Sequence, residues 1–171
     1  MLFQKINCGL TGVSIIFIMV LSISARAEFE IGTGNSSMTG GRYLPSLDLA
    51  YLQGDKIFAW SATGVKSSYY FQSSHLVAFF KSLKAGKMWG ADVNSGVGGA
   101  AAYTVRGYKD EGAASEQKDS DFLIGPAFRM NLNYKIIYFN INAIFGIRNI
   151  GTHVLSLTFQ DVQSLSIGIR F

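Results

Sequence analysis

The chain has 171 residues, a formal net charge of +4, one cysteine and two histidines. A single cysteine excludes a disulfide framework, and two histidines without further cysteines are too few for a zinc-type metal cluster. The small net charge gives no electrostatic case for nucleic-acid binding. We therefore expect no metal, no organic cofactor and no nucleic-acid partner.

Residues 1–27 are typical of a secretory signal peptide. A lysine near the start precedes an apolar run over about residues 10–23, and Ala25 and Ala27 supply the small residues that a signal peptidase recognises. The apolar run is shorter than the roughly 18–20 residues of a membrane anchor. We predict cleavage after Ala27 and a single domain over residues 28–171.

From residue 28 onward, apolar side chains recur at every second position, the period of a β-strand with one apolar face. Turn-forming residues divide this region into eight such segments. The predicted strands lie near residues 28–35, 44–53, 57–66, 69–83, 88–106, 121–133, 136–149 and 153–171. Tight turns are predicted around Gly54, Gly86 and Tyr134, and the longest and most charged connection covers about residues 107–120.

Two kinds of all-β fold fit this pattern. A soluble β-sandwich or lipocalin-like barrel turns its apolar faces inward, whereas a membrane barrel turns them toward lipid. The polar faces here are rich in Gly, Ser, Ala and Asn, as a narrow interior requires. Several predicted strands also exceed the usual length of about five or six residues, and charged residues are nearly absent from the apolar faces. We predict an all-β, eight-stranded, antiparallel up-and-down transmembrane β-barrel.

The connections provide an internal check on this topology. If the first strand starts in the periplasm, the three tight turns all lie on the periplasmic side, and the long charged connection lies outside the cell. Short periplasmic turns, longer external loops and an even number of strands are typical of bacterial outer-membrane barrels.

The segment SLSIGIRF at the end of the sequence alternates apolar and polar or small residues before a final aromatic residue. This pattern resembles the terminal β-signal of Gram-negative outer-membrane barrels, which the barrel-assembly machinery recognises. The residues that match it are Leu165, Ile167, Ile169 and Phe171. In architecture the domain resembles the small eight-stranded OmpA/OmpX-like class. We accordingly expect a monomer in the bacterial outer membrane, in contact with membrane lipid and lipopolysaccharide.

Strand parity assigns seven charged residues to the interior of such a barrel. They are Glu30, Asp48, Asp92, Arg106, Arg129, Arg148 and Arg170. An eight-stranded barrel is just wide enough to be filled by its own side chains, so we interpret these residues as a packed network of ion pairs in a polar lumen. We then expect a structural or surface-interaction role through the external loops. A narrow channel for small solutes is one alternative, because small interior residues would leave a path for water.

An acyl hydrolase of lipid A or phospholipid is a second alternative. Outer-membrane lipid A deacylases are similar in size and use a Ser–His pair, with the serine two residues after the histidine. Here His153 is followed by Ser156, three residues later and hence on the opposite face of a strand. Ser73 and His75 do share a face, as a nucleophile and its base would. Ser73, His75 and His153 are therefore the catalytic candidates for this alternative.

Overall fold

The computed structural model describes residues 27–37, 43–108, 117–150 and 158–171 of the chain. The strands are β1 (Ala27–Ser36), β2 (Leu44–Gln53), β3 (Lys56–Lys66), β4 (Tyr70–Met88), β5 (Ala91–Tyr108), β6 (Gln117–Tyr134), β7 (Ile137–Ile150) and β8 (Thr158–Arg170). No helix in these ranges is long and apolar enough to cross a membrane. The predicted signal peptide falls almost wholly on residues 1–26, which lie outside the described residues.

The eight strands form one closed antiparallel barrel. Each strand pairs with the next in sequence, and β8 pairs with β1, where Glu30 lies opposite Arg170. Phe29 and Phe171 extend this seam by exchanging backbone hydrogen bonds of 2.8 and 3.0 Å between N–H and carbonyl groups. The predicted all-β, eight-stranded up-and-down barrel is therefore confirmed.

The stagger of the strands determines the width of the barrel. The stagger can be counted by starting at Ala27 in β1 and moving from each residue to its direct partner on the next strand. After one circuit of the barrel the path reaches Ser37, directly after β1 and ten residues beyond its starting point. With a rise of about 3.3 Å per residue and a strand spacing of about 4.8 Å, this stagger gives a strand tilt of about 40° and a backbone radius of about 8 Å. The interior of such a barrel has room for side chains and little else.

Tight two-residue turns connect strands at one end of the barrel. Gly54 begins the β2–β3 turn with φ of 62°, Trp89 and Gly90 form the β4–β5 turn with φ of 50° and 79°, and Lys135 begins the β6–β7 turn with φ of 53°. The predicted turn around Gly86 is wrong. Gly86 lies within β4 at a bulge, where the pairing with β5 shifts by one residue.

The β4–β5 hairpin projects beyond the other tight turns. The pairing of β3 with β4 stops at Lys56 and Lys81, so the last seven residues of β4 continue with only β5 alongside, apart from one bond from the Ser82 N–H to the Asp55 carbonyl. With the tilt given above, Trp89 lies about 10 Å further along the barrel axis than the β2–β3 turn.

Residues on each strand alternate between the interior and the outer wall. In β7, Tyr138, Asn140, Asn142 and Ile144 are buried inside the barrel. The residues between them point outward and are between 36% and 60% exposed at Ile137, Phe139, Phe145 and Ile147. The outer wall is thus apolar, as the sequence pattern predicted.

The interior is less polar than predicted. Leu76, Phe80, Leu123 and Ile144 are fully buried and pack with small residues such as Ala78 in one cluster. Along β6 this apolar layer lies between Arg129 on one side and Asp121 on the other. The lumen therefore contains an apolar layer that separates two groups of charged side chains.

Gly98 of β5 lies where β4 and β5 approach each other too closely for a side chain. A Cβ added at Gly98 would lie 1.8 Å from the Phe79 carbonyl oxygen, whereas at the neighbouring Gly99 the nearest atom is 3.9 Å away. We expect Gly98→Ala to lower the free energy of unfolding by about 1–3 kcal/mol, as overpacking does. Gly99→Ala should change it by less than about 0.5 kcal/mol.

Urea titration followed by tryptophan fluorescence measures both values. Equal stability of the two variants would contradict the strand spacing described here.

Candidate functional site

The interior charges gather around one carboxylate, Glu30 of β1. Its side chain is fully buried and forms ion pairs with both Arg129 of β6 and Arg170 of β8. The Arg170 Nε donates a further hydrogen bond of 3.0 Å to Glu30 Oε1, and the Asn131 Nδ2 donates one of 3.2 Å to the same oxygen. A buried carboxylate is tolerated only when its charge and lone pairs are satisfied in this way.

Arg129 connects this carboxylate to the apolar layer. Its Nη1 donates a hydrogen bond of 3.5 Å to Asn142 Oδ1, and its guanidinium lies 5.9 Å from the centre of the Phe80 ring. Asp48 of β2 is also buried and accepts a hydrogen bond of 2.9 Å from the Ser46 hydroxyl. The cluster of Glu30, Arg129, Arg170 and Asn131, called the Glu30 cluster below, thus joins β1, β6 and β8 across the lumen.

A second ion pair lies on the other side of the apolar layer. Arg106 of β5 and Asp121 of β6 are 2.7 Å apart between Nη2 and Oδ2, and the Asp121 side chain is almost fully buried. Asp121 was not among the predicted interior charges, although it shares strand parity with Arg129. Asp121 is the first residue of the predicted sixth strand, directly after the charged connection, so the sequence pattern did not assign it to a face. In the structure β6 already begins at Gln117.

The structure separates the seven predicted interior charges into different environments. Glu30, Arg129 and Arg170 lie together, Asp48 is buried nearby, and Arg106 pairs with Asp121. Asp92 does not join them, because it lies near the β4–β5 turn and its side chain is exposed. Its Oδ1 is 3.9 Å from the Lys87 ammonium. The placement of Asp92 in the lumen is therefore wrong. The side chain of Arg148 lies outside the described residues.

Little free volume remains in the middle of the lumen. A cavity of about 10 Å³ lies among Asp48, Ser61, Arg129 and Asn142, which is about the size of one water molecule. A wider recess of about 540 Å³ opens at the end with the tight turns, lined by Glu28, Leu52, Asn131 and Arg170 among others. The Glu30 cluster and the apolar layer separate this recess from the opposite end.

The serine and histidine candidates lie on the outer wall. The Ser73 hydroxyl and His75 Nε2 are 3.4 Å apart, and the His75 ring stacks against Trp60 at 5.9 Å between centroids. A catalytic imidazole is usually oriented by a carboxylate, and no carboxylate in the described part of the chain makes a hydrogen bond or ion pair with His75. His153 lies outside the described residues. Within the ranges given above, no group of three or more His, Cys, Asp or Glu residues could hold a metal ion.

Aromatic side chains line up across the outer wall. Rings of adjacent strands contact one another in the order Phe171, Phe29, Tyr51, Phe58 and Phe79, with centroids 4.9–6.4 Å apart. Such cross-strand pairs stabilise a sheet. Because the row follows directly paired residues, it climbs obliquely around the wall with the stagger of the strands.

Comparison with known proteins identifies the fold. No protein-family model matches the sequence, and no curated protein matches it. The N-terminal β-barrel domain of Pseudomonas aeruginosa OprF superposes with a TM-score of 0.54 at 11% identity, covering 85% of this chain and 96% of that one. Ail, the attachment invasion locus protein of Yersinia pestis, in complex with the heparin analogue sucrose octasulfate, superposes with a TM-score of 0.51 at 10% identity, covering 85% and 96%.

The chain has the fold of the small eight-stranded outer-membrane barrels. Within this fold, the apolar outer wall and the charged interior occupy the positions that a bacterial outer-membrane barrel assigns to lipid-facing and lumen-facing side chains.

The Glu30 cluster makes a direct prediction about stability. Glu30→Gln leaves Arg129 buried without its counter-charge, so we expect a loss of about 3–5 kcal/mol in the free energy of unfolding. Glu28→Gln is the matched control: Glu28 is about half exposed and lies 3.3 Å from Arg170. That substitution should cost less than about 1 kcal/mol.

Both values come from urea unfolding of the protein folded in detergent. A Glu30→Gln variant as stable as the Glu28→Gln variant would show that the cluster contributes nothing to the fold.

Proposed function

We propose that the chain is a membrane-embedded barrel of the bacterial outer membrane that anchors its external loops at the cell surface. The apolar outer wall supports embedding, because exposed Ile, Phe, Val and Leu side chains cover faces of every strand. In lipid, a sheet must also close on itself so that its backbone groups find partners, and β1 and β8 meet this requirement.

The main observation in support of a structural or surface-interaction role is that side chains fill the middle of the lumen. Phe80, Leu76 and Ile144 close the interior beside the Glu30 cluster, and the cavity left there measures about 10 Å³. A solute larger than water has no path through such a packed section. This favours a structural or surface-interaction role over a channel for small solutes.

External loops are the part of the molecule through which we propose contact with other molecules. The tight turns occupy one end of the barrel. The strand ends that flank the longer connections lie at the other end, and they are Ser36 and Leu44, Tyr108 and Gln117, and Ile150 and Thr158. Residues 109–116 hold both acidic and basic side chains, as a solvated recognition segment does. Lipopolysaccharide at the cell surface is the partner we propose first for this end.

Assembly is the other interaction we propose. Leu165, Ile167, Ile169 and Phe171 point outward and are 44–70% exposed. These side chains are accessible along one face of β8, which supports their recognition by the barrel-assembly machinery during insertion.

A lipid hydrolase is a second candidate, favoured only by the distance of 3.4 Å between Ser73 and His75. Both residues lie on the outer wall, where an acyl lipid would reach them. The stacking of His75 on Trp60 and the lack of a carboxylate partner in the described residues argue against a working catalytic pair.

Localisation and closure of the lumen can be tested together. We expect the protein in the outer-membrane fraction of a Gram-negative host, with faster migration on an unboiled gel than on a boiled one, because a closed barrel resists detergent unfolding. In planar bilayers the folded protein should give no sustained conductance. Recovery in the soluble fraction would contradict membrane embedding, and stable conductance steps would contradict the filled lumen.

The hydrolase alternative has its own measurement. Release of fatty acid from lipopolysaccharide and from phospholipid should stay at background for the wild-type protein, and Ser73→Ala and His75→Ala should leave it there. Release that both substitutions abolish, in variants that retain the heat-modifiable band, would instead establish the hydrolase.

A further inference from the structure

Two lysines of the outer wall lie directly opposite each other on adjacent strands. Lys56 of β3 pairs in register with Lys81 of β4, and both are exposed. The next pair on the same face is Phe58 and Phe79, whose ring centroids are 4.9 Å apart. Opposed residues of antiparallel strands have Cβ atoms about 4.5–5.5 Å apart, and like charges at that distance destabilise the sheet. An anion between the two ammonium groups would remove this repulsion.

No acidic side chain in the described part of the chain serves as that anion. Among the described residues, neither Lys56 nor Lys81 forms an ion pair, in contrast to Lys87, which lies 3.9 Å from Asp92. Asp55 is adjacent in sequence, but it lies in the exposed turn, where its carbonyl accepts a hydrogen bond of 2.6 Å from the Ser82 N–H.

The lysine pair lies where the apolar wall of β3 ends, whereas on β4 the exposed Leu83 follows Lys81 on the same face. Above it, toward the longer connections, come the Phe58–Phe79 pair and then Trp60 opposite Val77. Two residues of a strand tilted by about 40° span about 5 Å along the barrel axis. The two lysines are therefore attached to the wall about one lipid headgroup away from the Phe58–Phe79 pair, an apolar surface that can cover acyl chains.

We propose that Lys56 and Lys81 bind the phosphate of an anionic phospholipid whose acyl chains pack against Phe58 and Phe79. The inference rests on the proposed membrane embedding, and it names the lipid class that this side of the barrel selects. The pair lies at the end with the tight turns, the side we assign to the periplasmic leaflet, where phospholipid is present. Two cations beside an apolar surface match a phospholipid with a net negative headgroup better than a zwitterionic one, whose own ammonium group neutralises its phosphate.

The experiment uses the folded full-length barrel in zwitterionic detergent, titrated with phosphatidylglycerol or phosphatidylcholine and followed by native mass spectrometry. We expect phosphatidylglycerol to bind at least tenfold more tightly than phosphatidylcholine, with a preference that weakens at high salt. The double substitution Lys56→Gln and Lys81→Gln should remove the preference. The matched control, Lys66→Gln with Lys135→Gln, removes the same charge at the other end of β3 and in the β6–β7 turn, and should leave the preference intact.

A second variant guards against a folding defect. Lys81→Glu places a carboxylate opposite Lys56, so the pair becomes attractive and the barrel should keep its heat-modifiable band while losing the phosphatidylglycerol preference. Water-soluble glycerol phosphate, added in excess, should compete weakly, because it lacks acyl chains for Phe58 and Phe79.

Three results would overturn the proposal: equal binding of the two lipids to wild type, unchanged preference in Lys81→Glu, or full competition by glycerol phosphate, which would indicate a plain anion site. Failure of the wild-type protein to fold in detergent at all would count against membrane embedding itself, so the two ideas fail in distinguishable ways.

Discussion

Every strand of this molecule depends on the hydrogen bonds that join β1 to β8. Pairing between these strands, extended by the bonds between Phe29 and Phe171, leaves neither of them as an open edge along the seam. Closure with a stagger of ten residues then determines the tilt and the radius, and the radius determines what the interior can contain. The filled lumen and the apolar outer wall are both consequences of this one geometric condition.

Within that radius, the charged groups are stabilised by sharing partners. Glu30 alone would be too costly to bury, but two guanidinium groups and the Asn131 amide surround it. The arginines come from β6 and β8, so the cluster also ties distant strands together across the lumen. The apolar layer beyond it excludes water from one side, which strengthens these interactions and raises the cost of leaving any of them unmade.

Alternation predicted the faces of most strands but not the depth of each residue in the barrel. Residues 137–147 alternate clearly in sequence, and in the structure the same alternation separates buried from exposed side chains. Asp92 has the parity of an interior residue, yet parity does not report that the β4–β5 hairpin extends past the lumen.

The strand β4 shows why side-chain orientation and turn position could not be predicted everywhere from the sequence. Residues 75–80, HLVAFF, offer apolar side chains to both faces, so the sequence pattern does not say that Leu76 and Phe80 point inward while His75 points outward. Gly86 was a reasonable turn residue by composition, but the chain reverses at Trp89 and Gly90. Trp89 adopts a positive φ there because the register of β4 against β5 places it in the turn.

The hairpin that projects beyond the tight turns carries an unshared backbone edge. The last residues of β4 have hydrogen-bonding groups on the β3 side that no strand of the described chain covers. Such an edge invites another chain to add itself as an extra strand. The bulge at Gly86 breaks its regular spacing and Lys87 adds charge beside it. The bulge and the charge make this edge a poor template for pairing with a neighbouring copy of the protein. The tip of the hairpin can therefore project beyond β3 without promoting aggregation.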